Sequence, residues 1–161
     1  MSIDEVISEV QGASVEKRAM KAPEALNEAC EYGSAFARGM RIDLNGLVIL
    51  LISGTASVDE AGNTVHVGDF RAQCRRTFYN ITKLLEAEGA TWKDIVRTTC
   101  YLRDIDRDYK EFNEERTRFY DQQGLNPYPA STGIQAKLCR PDLLVEIEAI
   151  AMFRKPAEEQ E

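Results

Sequence analysis

The stretch PASTGIQAKLCRPDLLVEIEAIAMF, Pro129 to Phe153, ends in an apolar run that carries two acids two residues apart, Glu146 and Glu148. Successive strand residues point to opposite faces, so alternate residues share one and both carboxylates point the same way. Val145, Ile147, Ala149, Ala151 and Phe153 fill one face of the predicted strand, while Glu146 and Glu148 share the other with Leu144, Ile150 and Met152. The plainest reading is an edge strand with one solvated face. Acids on a half-apolar face also suit a reacting carboxyl, because desolvation raises the pKa of a carboxyl toward neutrality.

Upstream, Leu47 to Ile52 is apolar at every position, so both faces of that strand must be covered. Asn45-Gly46 joins it to Met40–Leu44 as a hairpin, in a two-residue turn whose central residues both need positive φ. Two helices can cover one face. Phe70, Cys74, Thr77, Ile81 and Leu84 recur at helical spacing in the first, and Tyr109, Phe112, Arg116 and Phe119 in the second. Gly89 stops the first helix, and Asp94 to Leu102, rich in Val, Thr, Ile and Tyr, reads as a strand between the two. The order strand, strand, helix, strand, helix, strand, strand predicts an α+β domain, a mixed sheet backed by one helix layer. With both helices on one side, the other sheet face is bare unless another subunit covers it, so the chain is expected to oligomerise.

With 161 residues, the chain has the size of one ordinary domain. Residues 1–20 read as an N-terminal extension in which Ile3, Val6, Ile7 and Val10 are spaced for a short amphipathic helix; residues 21–161 read as the single domain. A formal charge of −7 argues against a nucleic-acid partner, and Arg71, Arg75 and Arg76 form only a local basic ridge. Cys30, Cys74, Cys100 and Cys139 make no C-x-x-C pair, and the one histidine is His66, so neither a metal nor a cofactor is expected. The cysteines read as small core residues. No secretory leader pattern opens the chain, and no apolar run approaches the roughly 20 residues of a membrane span, so a cytoplasmic protein away from membranes is expected.

From about Phe36 to Phe153 the chain resembles the Rid (YjgF) family of small trimeric proteins, which includes imine and enamine deaminases. The resemblance rests on Ile52-Ser53-Gly54 closing a strand, Asn80 in the first helix, the strand Asp94 to Leu102, Phe112-Asn113 in the second helix, Pro129-Ala130, and Val145-Glu146-Ile147-Glu148-Ala149-Ile150-Ala151. It implies a chorismate-mutase-like fold, a homotrimer joined through its sheets, and a small-molecule cleft between adjacent subunits. Some relatives carry an endoribonuclease label, against which the charge balance here argues. Matching the motifs places Phe36, Ser53, Gly54, Asn113, Ser131, Gly133 and Glu146 at the cleft.

Three of these positions depart from the deaminase pattern. Phe36 stands where the deaminases have Tyr and keeps an apolar wall without a hydroxyl. Gly133 replaces a Cys or another side chain. Ser131 replaces an Arg that grips the substrate carboxylate, a charge-assisted contact worth about 1.5–3 kcal/mol, or roughly ten- to a hundredfold in affinity. Arg140, before the last strand, and Arg38 are the candidate substitutes for anchoring an anionic ligand, and the same matching brings Arg41 near the cleft. Glu146 is the candidate acid or base, with Glu148 orienting its partners.

Three readings follow. The first is hydrolysis of an enamine or imine, with Glu146 activating water. The second is a chorismatase-like hydrolase acting on chorismate or a related dicarboxylate, since Phe36-Ala37-Arg38-Gly39, Ser53-Gly54-Thr55-Ala56-Ser57 and Ala130-Ser131-Thr132-Gly133 are similar to segments of those larger, two-domain relatives. The third is a non-catalytic trimer that binds a metabolite.

Overall fold

In a computed structural model, the structure describes residues 15–157. Six strands, β1 (Val15–Ala19), β2 (Gly39–Leu44), β3 (Leu47–Ala56), β4 (Ile95–Leu102), β5 (Ala130–Gln135) and β6 (Val145–Arg154), form one sheet in the order β1-β2-β3-β6-β4-β5. Only the β4–β5 pair is parallel. The acid-bearing strand β6 therefore lies at the centre of the sheet, not at its edge. Asn45 and Gly46 both take positive φ, at 49° and 80°, as the β2–β3 hairpin requires.

Two helices, α1 (Phe70–Ala87) and α2 (Ile105–Gln122), pack on the same face of the sheet. Asp69 caps α1 by accepting from the Ala72 N–H at 3.0 Å, and Gly89, at φ 71°, follows its C-cap residue Glu88. Asp104 caps α2 in the same way, and Asp106 and Asp108 place negative charge at its positive end. The helix-side sheet residues Val48, Leu50, Ile52, Cys100, Val145, Ile147 and Ala151 are buried against Phe70, Cys74, Phe78, Ile81 and Phe112. Each buried side chain of Leu or Phe size contributes about 1.5–3 kcal/mol.

The α1 stripe is buried throughout, whereas Tyr109 of the expected α2 stripe is 48% exposed and Asp108, Glu115 and Tyr120 are buried instead. Asp94 belongs to a short 3-10 turn, where it and Thr91 form a reciprocal cap, and not to the strand. The end of the N-terminal extension packs onto the sheet: Val15–Ala19 pairs with β2, and Met20 is fully buried. The helix expected around Ile3 to Val10 lies outside the described residues. Cys74 and Cys100 are core residues as expected, but Cys30, on a 3-10 turn (Ala29–Tyr32) of which only Ala29 is buried, and Cys139, in the loop before β6, are exposed.

The opposite sheet face has no helix layer. Leu51, Ile134 and Met152, which point to that side, are 42%, 48% and 43% exposed.

Candidate functional site

Glu146 rises from β6 on the open face, between Ala56 of β3 and Tyr101 of β4. At this point β3 does not end. It bulges: Ile52 faces Ala149 and Thr55 faces Ile147, so β3 has one residue more than β6, at Ser53–Gly54. Ser53 locks the bulge to the preceding segment, donating from Oγ to the Ala37 carbonyl at 2.6 Å and from its N–H to the Arg38 carbonyl at 3.1 Å. From behind, the buried Asn80 amide donates to the carbonyls of Ala56 and Val58 at 2.9 and 3.0 Å.

The bulge brings bare backbone under the carboxyl. A Cβ on Gly54 would stand 2.1 Å from Glu146 Oε1, so only glycine leaves room for it. Glu146 accepts no hydrogen bond from any described residue. Burial pushes its pKa above the ordinary 4.5, and the neighbouring Glu148 adds to the rise. Glu148 itself accepts from the Tyr101 hydroxyl at 2.8 Å, a diagonal cross-strand contact that fixes it beside Glu146.

Arg38 and Arg140 adjoin this end of the sheet through the loops beside the bulge. Arg38 is buried, donating from Nε and Nη2 to the Asn27 carbonyl and Oδ1 at 2.8 and 3.0 Å, with Cζ 5.4 and 5.6 Å from the ring centres of Tyr32 and Phe36. Arg140 donates to the Gly62 carbonyl at 2.7 Å, and its Cζ lies 5.3 Å from the same Tyr32 ring. Two guanidinium groups thus flank one tyrosine, and neither has a carboxylate partner among the described residues. Arg103 holds the Arg140 loop by donating to the carbonyls of Arg140 and Leu143, both at 2.6 Å. Phe36 is 44% exposed and meets the Tyr32 ring edge-on, with centroids 6.5 Å apart.

Arg41 is elsewhere. It points to the helix side of β2, where Asp43 and Glu88 pair with it at 2.9 and 3.2 Å, and Arg18 closes on Glu88 at 2.6 Å. The ridge of Arg71, Arg75 and Arg76 is likewise paired, chiefly with Glu111, Glu114, Glu115 and Glu60.

The remaining sequence-selected residues form a second group. Ser131 and Gly133 sit opposite Thr98 and Cys100, whose neighbours on β6 are the helix-side Ala149 and Ile147. They therefore face α2, where Asn113 lies, and Arg116 joins them: it donates to Ser131 Oγ at 2.9 Å and to Asn113 Oδ1 at 2.7 Å. Glu146 and this group occupy opposite faces of one sheet. Tyr32, Tyr101, Arg103 and Arg116 were not singled out from the sequence as site residues, because polar cross-element contacts carry no spacing signal.

The model of the family described as endoribonuclease L-PSP matches residues 27–153. The chain belongs to that family. A RutC family protein of Haemophilus influenzae is 34% identical over 111 residues, covering 69% of this chain and 82% of that one. The 3-aminoacrylate deaminase RutC of Acinetobacter baylyi is 33% identical over 103 residues, covering 64% of this chain and 78% of the relative. The crystal structure of the YjgF gene product from E. coli matches with a TM-score of 0.70 at 26% identity, covering 85% of this chain and 99% of that one. The α+β architecture of this L-PSP (YjgF) family chain is that of its structural relatives. Among its described residues, no helix is long and apolar enough to cross a membrane.

Proposed function

We propose that this chain forms a homotrimer and hydrolyses a small anionic imine or enamine in a cleft between copies, with Glu146 as acid and base. The observation that carries this reading is the Glu146 carboxyl itself: half-buried, free of hydrogen-bond partners among the described residues, raised in pKa and seated over the bare backbone of Gly54. A carboxyl tuned toward neutrality can take a proton from water as that water attacks the C=N carbon and return it to the nitrogen, giving a carbinolamine; a second transfer by the same carboxyl, from the carbinolamine hydroxyl to nitrogen, breaks the C–N bond and leaves a C=O group and ammonia. An enamine is first protonated at carbon to reach the imine. The similarity to a 3-aminoacrylate deaminase supports the same class of reaction.

The separation of the two groups onto opposite faces supports a shared cleft. Glu146, Ser53, Gly54, Phe36, Arg38 and Arg140 come from one copy, and Asn113, Ser131 and Gly133 come from the next, since one sheet separates the two groups. The exposed Leu51, Ile134 and Met152 give the copies an apolar face to bury. Arg38 and Arg140 make the Glu146 end attractive to an anion. Their placement on either side of Tyr32 also favours a second reading, hydrolysis of chorismate or a related dicarboxylate.

The test uses a 2-imino acid generated in situ by an amino acid oxidase. The wild type is expected to accelerate hydrolysis, and Glu146→Gln to abolish the acceleration with the oligomer intact. Undiminished turnover in Glu146→Gln removes Glu146 from the chemistry. Wild-type inertness toward imines with turnover of chorismate selects the second reading, and binding without turnover of either leaves a non-catalytic trimer.

A further inference from the structure

Helix α1 carries three polar side chains into an otherwise apolar core. Gln73, Thr77 and Asn80 are fully buried, and their spacing of four and three places them on one face of the helix. A buried polar group costs stability unless it is hydrogen-bonded, so each of the three needs a reason to be there. Gln73 and Asn80 reach backbone on either side of Glu146. Thr77, between them, does not: its Oγ1 has no hydrogen-bond partner among the described residues.

The β3–β6 ladder stops at the Ala56–Glu146 pair, where β3 ends. Beyond it, Val145 and Leu144 have strand partners only on the β4 side, where Leu102 pairs with Val145 and the Arg103 N–H donates to the Leu144 carbonyl at 3.0 Å. The Gln73 carboxamide takes the other side. Its Nε2 donates to the Asp142 carbonyl at 2.9 Å and its Oε1 accepts from the Leu144 N–H at 2.8 Å, two positions on, so one side-chain amide pairs with this segment as a neighbouring strand would. The same Nε2 donates to the His66 carbonyl at 3.3 Å, which ties the approach to β6 to the loop that follows β3. Asn80 holds the opposite half of the pair: its amide donates to the carbonyls of Ala56, directly across from Glu146, and of Val58. The two carboxamides stand seven residues apart, about 10 Å along one helix, and grip Glu146 from its own strand and from the strand beside it.

We propose that Gln73 and Asn80 are positioning residues that set the Glu146 carboxyl over Gly54. Without the Gln73 amide, Ala56 is the last partner on that side of β6, and the end of the ladder can open back to the bulge at Ser53–Gly54, carrying the carboxyl off the bare backbone. The titratable groups that face Glu146 are Glu148 on its own strand and Tyr101 on β4, with Arg38 and Arg140 in the adjoining loops; none of them bonds to Gln73 or Asn80. The effect on turnover rests on the reading of Glu146 as the reacting group; the positioning does not.

The experiment follows the Glu146 carboxyl by carbon-13 NMR through a pH titration, with imino acid hydrolysis measured in parallel, in Gln73→Met, Asn80→Leu and Thr77→Val. Each replacement is close in size to the side chain it removes. Thr77→Val is the control, since it lies at the same depth on the same helix face and has no bond to lose. Gln73→Met and Asn80→Leu should bring the Glu146 midpoint down toward the ordinary 4.5, because a carboxyl released from its seat regains water. They should also lower kcat roughly 10- to 100-fold with KM little changed, as for a reacting group displaced by up to about 1 Å. Thr77→Val should match the wild type in both. Thermal melts and size-exclusion profiles establish which variants fold, and Asn80→Leu carries the test if Gln73→Met does not. A wild-type Glu146 titration in the folded Gln73 and Asn80 variants, or an equal change in Thr77→Val, overturns the assignment. A lowered midpoint with undiminished turnover upholds the positioning and removes Glu146 from the chemistry, so the two failures are distinct.

Discussion

Replacing Gly54 by alanine tests the geometry of the site with a single methyl group. The added Cβ would lie 2.1 Å from Glu146 Oε1, against ordinary contacts of 3.4–4 Å, so the carboxyl has to retreat by more than an ångström. Glu146 Cγ, already at 3.4 Å, need not move, and rotation of the outer side chain suffices. Gly54 is not among the residues of positive φ, so alanine fits its backbone. Displacing one half-exposed side chain from its rotamer costs about 0.5–1.5 kcal/mol, a few degrees in Tm for a domain of this size. Misplacing a reacting group by about 1 Å costs roughly 100-fold in rate. Gly54→Ala should therefore unfold within a few degrees of the wild type in a thermal melt, yet hydrolyse an imino acid about 100-fold more slowly. Wild-type turnover in a folded Gly54→Ala protein would refute the claim that the carboxyl over Gly54 is the reacting group.

Three further outcomes follow from the same structure. The folded Glu146 pKa lies above 4.5, so the folded state holds this proton more tightly than the unfolded chain; the stabilisation is complete below the unfolded pKa and is lost as pH rises through the folded one. The Tm difference, wild type minus Glu146→Gln, should consequently fall as pH rises from about 4 toward neutrality; a flat or rising difference contradicts the raised pKa. Glu88→Ala strands the buried Arg41 with Asp43 alone and should cost about 3 kcal/mol in denaturant unfolding, the low end for breaking a buried pair. Tyr101→Phe removes the hydrogen bond to Glu148 and should cost about 1.5 kcal/mol or more if that bond is charge-assisted, with loss below a few tenths showing that water replaces it.

What could be read from the sequence was whatever recurs at a fixed spacing. The alternation of Val145, Ile147, Ala149 and Ala151 gave the buried face of β6, the stripe from Phe70 to Leu84 gave α1, and Asn45-Gly46 gave the hairpin, each confirmed by burial or dihedral angle. The strand Val15–Ala19 escaped because VEKRA is almost wholly exposed and shows no alternation; what holds it is pairing with β2 and the Arg18–Glu88 contact. Tyr109 and Arg116 share a helical stripe with Phe112, and spacing alone cannot tell the buried centre of a stripe from its rim. The bulge at Ser53–Gly54 and the separation of Glu146 from Ser131 onto opposite faces depend on register and strand order, which are properties of four strands together.

Mixing two crippled variants tests the shared cleft most directly. Glu146→Gln keeps Arg116, Arg116→Ala keeps Glu146 but loses the donor that Ser131 and Asn113 share, and each alone should turn over an imino acid poorly at low substrate. If the cleft draws Glu146 from one copy and Arg116 from the next, unfolding and refolding the two together should restore some intact clefts, about a quarter for random mixing around a closed ring. A recovery of that size in mixed oligomers is the expected result. Mixed oligomers no more active than their parents would contradict a cleft shared between copies.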